Sequence, residues 1–323
     1  MSSFSSITSM VGCKRKSILS KVCRKFIEPN NNLVFGSAFH LTQEKGNLEE
    51  GLRYLENNLP PEENLDYNKK LLTEMYVRQY EFMQRNGIKM IEHEIPFKIE
   101  IQGETKENFI GYIDGLAEYA GGKWLVEFKT ARYIDVGHVP IDSQITAYLW
   151  ACRELNIADV QGVLYIVNKK SLTKPPVVLK SGQLSTAKNQ GCSYDDYYKK
   201  AIEIYKGEEN LPFKVKEFMG WLRNSEQPSI VMVPATRTEK DLDNFGAMVA
   251  QYVEEEGRLK KAIKELGVTQ VLALTPCFPS KMCYQFCDFK EECKKLMLNE
   301  DLDIDEMDED DYNEIFASDD ADL

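Results

Sequence analysis

Between Gly111 and Ala131 the chain reads GYIDGLAEYAGGKWLVEFKTA, two strand-like runs joined by a Gly-Gly turn with three charges set among core-forming residues. Side chains alternate along a strand, so Leu125, Glu127 and Lys129 share one face and Val126 and Phe128 the other. Asp114 is bracketed by Ile110, Tyr112, Ile113 and Leu116. A surface hairpin would turn its charges outward, away from neighbours such as these. Burying a carboxylate is costly unless it is paired or binds a cation. Asp114 and Glu127 on adjacent strands therefore suit a divalent metal, with Lys129 placed to meet an oxygen of a reacting phosphate. That combination points to metal-dependent phosphodiester chemistry.

The rest of the chain supplies material for a sheet flanked by helices. Residues 4–26 carry Phe4, Ile7, Val11, Ile18, Leu19 and Val22 at roughly helical spacing. VFGSAFH leads into a second helix, and Pro60-Pro61 opens a long one closed by Asn86-Gly87. IEHEIPFKIEIQ and the two runs of the hairpin read as an antiparallel meander. IDSQITAYLWACREL is helical, and GVLYIVN, Gly162 to Asn168, has the nearly unbroken apolarity of a strand buried on both faces. A helix over 193–207, a strand over 229–233 and a long amphipathic helix over 237–265 follow. The fold class expected is α/β, with a central mixed sheet made of the meander plus Gly162 to Asn168. The expected division is a folded domain over 1–295 and an acidic, disordered tail over 296–323.

The net charge of -12 belongs to that tail. Residues 300–323 hold thirteen acids and no base; without them 39 acids face 40 bases, and the body is close to neutral. Basic clusters such as Lys14 to Lys25, and Lys169, Lys170, Lys174 and Lys180, are then free to meet an anion, although a solvated helix face explains such runs equally well. No run of about twenty apolar residues is present, so no membrane span is expected. Eight cysteines without a secretory signal suggest an intracellular, reduced protein whose clustered thiols bind metal. No Walker-type phosphate loop occurs.

With Gly111-Tyr112-Ile113-Asp114-Gly115 and Glu127-Phe128-Lys129-Thr130, the chain resembles the PD-(D/E)XK nuclease superfamily, in its RecB-like and AddB-like branch. GSAFH, Gly36 to His40, is similar to the branch's Gly/His element, which makes His40 a metal ligand beside Asp114, Glu127 and the carbonyl of Phe128. Gln144 and Tyr148 match a Gln-x-x-x-Tyr helix that orients the nucleic acid or the catalytic groups. Spacing alone equally allows a helix docked by Tyr148 with Gln144 exposed. Cys283, Cys287 and Cys293, in CYQFCDFKEEC, resemble the C-terminal thiols of an iron–sulfur staple found in some members, including small CRISPR-associated nucleases. The gap between Cys283 and Cys287 is one residue longer than the common pattern. Cys13 is the first choice for the fourth ligand, Cys23 a close second, and Cys277 could complete a wholly C-terminal site. Four thiolates suit zinc or [4Fe–4S]. Cys152 and Cys192 read as core or surface residues.

The resemblance implies a Mg²⁺- or Mn²⁺-dependent deoxyribonuclease with Asp114, Glu127, Lys129, Gln144 and Tyr148 in its site. It would act as an exonuclease on DNA ends or single strands in recombination or repair. The setting would be cytoplasmic or nucleoid-associated, in a cell, virus or mobile element. Two other readings stand beside it: a silent DNA-binding relative, and a zinc-stapled interaction protein. Met307, Tyr312, Ile315 and Phe316 in the acidic tail suit docking on a basic groove, of a protein partner or of the chain itself; a purely solubilising tail is the plainer alternative.

Overall fold

A computed structural model describes residues 2–23, 31–101, 107–225, 229–298, 300 and 302. Its centre is a six-stranded mixed sheet: β1 (Ser2–Ser3), β2 (Lys89–Ile101), β3 (Glu107–Tyr119), β4 (Gly122–Ala131), β5 (Val160–Lys169) and β6 (Ile230–Ala235). β2, β3 and β4 form the expected antiparallel meander. β4 and β5 run parallel through a crossover carrying α6 (Ser143–Glu154), and β6 closes the edge antiparallel to β5. β1 adds two parallel pairs to β3, at Phe109 and Ile110. β1 and β6 enlarge the sheet beyond the four strands expected of it.

The hairpin turn falls one residue earlier than the Gly-Gly pair suggests. Tyr119 pairs with Gly122, and the two turn residues are Ala120 and Gly121, with φ of 50° and 80°. Two consecutive positive φ values give the turn whose twist matches its flanking strands.

Helices cover both faces. Against one lie α6 and α9 (Glu239–Leu266), with Trp150 and Phe245 packed on Phe109, Leu125 and Val163. Against the other lie α3 (Asn31–Glu44), α4 (Leu48–Asn58) and α5 (Leu65–Arg85), with Phe35, Phe39, Leu72 and Met75 on Val126, Phe128, Leu164 and Ile166. β5 is buried from Gly162 to Asn168, as its composition requires.

Several helix boundaries differ from expectation for local reasons. The first helical stretch divides at Cys13, whose extended backbone (φ -164°, ψ 107°) separates α1 (Phe4–Gly12) from α2 (Lys14–Val22). α5 starts after Asn64, whose side chain accepts from the Tyr67 N–H at 2.9 Å; Pro60 and Pro61 lie in the preceding turn. α4 is additional, capped by Asn47.

Between β5 and β6 the chain makes a detour through α7 (Tyr194–Tyr205) and α8 (Phe213–Ser225), which share a small core of Leu184, Tyr197, Phe218 and Leu222. At the far end, α2 packs with α9, α10 (Val268–Leu274) and Phe289 through Ile18, Leu19, Ile263 and Leu272. The N-terminal helices thus meet the cysteine segment, which holds α11 (Lys281–Phe286) and α12 (Lys290–Leu298). α12 runs past the expected boundary at 296, and nearly all of the acidic tail lies outside the described residues. Among the described residues no helix is long and apolar enough to cross a membrane.

Gly115 follows Asp114 where β2 presses closest on β3. A Cβ there would stand 2.4 Å from Met90 Cε and 2.7 Å from the Glu92 carbonyl oxygen. The methionine tip can move, but the carbonyl is held in the sheet. Gly115→Ala is expected to cost about 1–3 kcal/mol, read as a lower midpoint in denaturant; an unchanged midpoint would contradict this packing.

Candidate active site

The ladder between β3 and β4 runs from Tyr119–Gly122 to Gly115–Val126 and stops there. The next residues in register are Asp114 and Glu127. On the same edge, β3 is next paired at Ile110, by β1, so residues 111–114 face a gap in the sheet. Asp114 bridges it with a side chain: its Oδ2 accepts from the Phe128 N–H at 2.8 Å. A carboxylate thus takes the place of a strand pair. From α3, His40 Nδ1 comes to 3.3 Å from the same oxygen. Burial opposes a charged His40 ring, but the hydrogen bond and charge of Asp114 outweigh it, and its pKa lies above the ordinary value.

Glu127 is only 1% exposed. Its Oε1 is paired with Lys129 Nζ, while its Oε2 is buried without a hydrogen-bond partner. Burial, reinforced by the charge of Asp114, pushes its pKa up to about 7. Lys129 is also largely enclosed. Burial works against its charge, yet Glu127 outweighs burial and leaves the ammonium more basic than usual.

Lys129 Nζ donates to Gln144 Oε1 at 3.0 Å, and Gln144 Nε2 donates to the Tyr148 hydroxyl at 2.7 Å. Asp142 fixes the start of this helix by accepting from the Gln144 N–H at 2.8 Å. Tyr148 is 5% exposed, and burial followed by the charge of Glu127 raises its pKa. Gln144 is therefore not an idle surface residue. It links the lysine on β4 to the tyrosine one helical turn away.

Some neighbours carry no spacing signal in the sequence. Tyr165 stands opposite Glu127 in the parallel register, and its hydroxyl lies 3.2 Å from His138 Nε2. His138 also lies 3.5 Å from Asp142 Oδ2. Glu94, at φ 44° on β2, has its pKa raised by burial and then by a hydrogen bond with Glu44, one turn beyond His40. Only contact across the sheet reveals these pairs.

Among the described residues no three His, Cys, Asp or Glu side chains form a ready-made metal cage. The donors nevertheless fit a hard divalent cation in kind: two carboxylates, a carbonyl at Phe128 and an imidazole. Glu127 Oε2 is buried without a hydrogen-bond partner.

The thiols assemble differently from the first-choice ligand set of Cys13, Cys283, Cys287 and Cys293. Cys277 Sγ lies 3.7 Å from Cys293 Sγ. Arg15 donates to Cys293 Sγ at 3.7 Å and to the Thr275 carbonyl at 2.9 Å. Burial, then Cys293, then the more distant Cys13 push the Cys277 thiol up to about 11. Cys13 Sγ accepts from the Lys16 N–H at 3.4 Å. Cys283 sits apart from this pair, 3.6 Å from Ser280 Oγ, and Cys287 packs with Cys23 against the small core around α2. Cys152 and Cys192 are buried in apolar cores.

No known protein-family model matches the chain, and no curated protein matches it. Among solved structures, the chain is similar to a "Putative exonuclease" from Eubacterium rectale, at 13% identity and a TM-score of 0.49 over 90% of this chain and 86% of that one. It is also similar to the protein SSO0001, at 16% identity and a TM-score of 0.21 over 47% of this chain and 70% of that one. At these identities and scores neither likeness assigns an activity here.

Proposed function

We propose that this chain is a Mg²⁺- or Mn²⁺-dependent nuclease that hydrolyses DNA phosphodiesters, acting as an exonuclease at ends or in single strands. The observation that carries this reading is the gap between β3 and β4. Asp114 spans it, and the next residue in register on β4 is the fully buried Glu127, one oxygen of which is unpartnered and the other paired with Lys129. Asp114, Glu127, the Phe128 carbonyl and His40 would hold the cation. When bound, it would polarise the phosphate and offset its charge as a Lewis acid.

The chain's own groups do the rest. Glu127 makes Lys129 more basic than usual, and we assign it the role of a fixed cation facing charge that builds on the phosphate oxygens. Gln144, held by Tyr148, orients the lysine. Asp114, tied to the Phe128 N–H, holds the two strand ends in one geometry while the phosphate enters.

With Mg²⁺ or Mn²⁺, the chain is expected to digest end-labelled DNA, and Lys129→Ala to lower the rate by about 10²-fold or more while the chain still folds. Full activity in Lys129→Ala would sink the assignment.

The cysteine segments are proposed to hold a [4Fe–4S] cluster, with zinc as the alternative, tying α2 to the C-terminal helices. Arg15, Cys293 and Cys277 already form such a junction. The ligands would be Cys283, Cys287 and Cys293, with Cys13, Cys23 or Cys277 as the fourth. Metal analysis of the purified chain should find iron or zinc, lost in Cys293→Ala and kept in Cys192→Ala. Metal-free wild type would exclude the staple.

A further inference from the structure

β5 and β6 are antiparallel neighbours, which a short turn could join. Residues 170–225 instead contain the α7–α8 detour with its own core. Two concavities open where this detour meets the body. The larger, about 1210 Å³, lies between α5 and α7, and its charges are mixed: Glu74, Asp195 and Glu203 stand among Arg78, Arg85 and Lys200. Several of these are paired, as in Arg85–Asp195 at 3.4 Å and Lys200–Glu203 at 2.6 Å. With six bases against five acids, such a wall offers a polyanion little net attraction.

The smaller groove, about 370 Å³, has a different character. Lys169 and Lys188 line it, with Gln190, Ser193, Phe218 and Trp221, and among the described residues no Asp or Glu does. Trp221 is half-buried, and its ring stacks on Phe218 with centroids 5.3 Å apart and planes at 26°. Phe218 is 4% exposed and rests edge-on against Tyr197 at 4.8 Å, so the indole stands on a rigid base. Lys188 Nζ lies 5.3 Å from the Trp221 centroid.

One lining residue, Lys169, lies close in strand register to the candidate active site. Lys169, the last residue of β5, is two places beyond Val167, the partner of Lys129 in the parallel register. Two residues of strand span about 7 Å. The Lys170 N–H donates to the Ala131 carbonyl at 2.7 Å, which keeps the exit of β5 against the end of β4.

We propose that this groove is a nucleotide subsite. Trp221 stacks an unpaired base of the strand whose phosphodiester lies at Glu127 and Lys129, while Lys169 and Lys188 meet the flanking phosphates. An aromatic platform beside lysines is how unpaired strands are held without regard to sequence, since every base offers a π-face. A base inside a duplex has no free face to offer. The volume, at the low end of the roughly 300–1,000 Å³ of small-ligand clefts, suits one nucleotide. Stacking on an indole is stronger than an exposed cation–π contact, so an arriving base displaces Lys188 from the ring and frees its ammonium for a phosphate.

This inference rests on the nuclease reading for the position of the scissile bond, and the experiment separates the two. Full-length protein is titrated in EDTA with a labelled 12-mer oligothymidylate and with a blunt duplex, following anisotropy and tryptophan fluorescence. Trp221→Ala should weaken oligothymidylate binding about tenfold or more and leave duplex binding unchanged. Trp221→Phe should retain part of the affinity but lose the fluorescence quench. Lys188→Gln, which leaves the aromatic stack in place, should lower the salt dependence of binding by about 0.7 in the log–log slope. Unchanged oligothymidylate affinity and quench in the Trp221 variants would overturn the subsite, whatever the cleavage assay shows. Trp221-dependent binding of a polyglutamate peptide with equal affinity would overturn base stacking as well. Cleavage that survives Lys129→Ala would instead remove the nuclease reading and leave a strand-binding groove.

Discussion

The structure turns on the placement of one carboxylate. Glu127 sits mid-strand in β4, with helices on both faces of the sheet, and water cannot solvate it. A group so placed must be neutral or find a positive partner. Lys129, two residues on and on the same face, supplies part of that charge, and one oxygen still lacks a partner. The neighbouring elements are fitted around this unresolved charge. β3 leaves β4 just there, Asp114 spans the opening, and α3 brings His40 in from the other layer. α6, the crossover that parallel β4 and β5 require, delivers Gln144 and Tyr148 to the lysine.

Much of this was legible from residue order because it is local. Alternation along β4 places Glu127 and Lys129 together, and helical spacing places Gln144 one turn from Tyr148. The buried strand at Gly162 to Asn168 announces itself through unbroken apolarity. What stayed hidden depends on contacts between residues far apart in the chain. Nothing near Tyr165 marks it as the neighbour of Glu127, and nothing near Glu94 marks its bond with Glu44. The Lys188–Trp221 contact belongs to a detour whose two helices share a core of their own. Helix ends failed where a side-chain cap or an extended residue decided them, as at Asn64 and Cys13.

The thiols show the same division. Spacing singled out Cys283, Cys287 and Cys293, yet the fold sets Cys277 against Cys293, with Arg15 from the N-terminal helices beside them. Arg15 is 7% exposed and bonded to the Thr275 carbonyl, so the two ends of the chain are joined through a buried cation. This places the Arg15–Cys293 junction and the sheet gap in separate parts of the molecule, one built by α2 and the cysteine segment and the other by β3, β4, α3 and α6.

The central claim is that the opening between β3 and β4 is a divalent-cation site created by the burial of Glu127. Calorimetric titration of the full chain with Mn²⁺, in the absence of DNA, tests it without relying on activity. Saturable binding is expected in the wild type, weakened about 10-fold or more in Asp114→Asn and Glu127→Gln, as removal of a charged ligand demands. Equal Mn²⁺ binding in all three proteins would contradict the account.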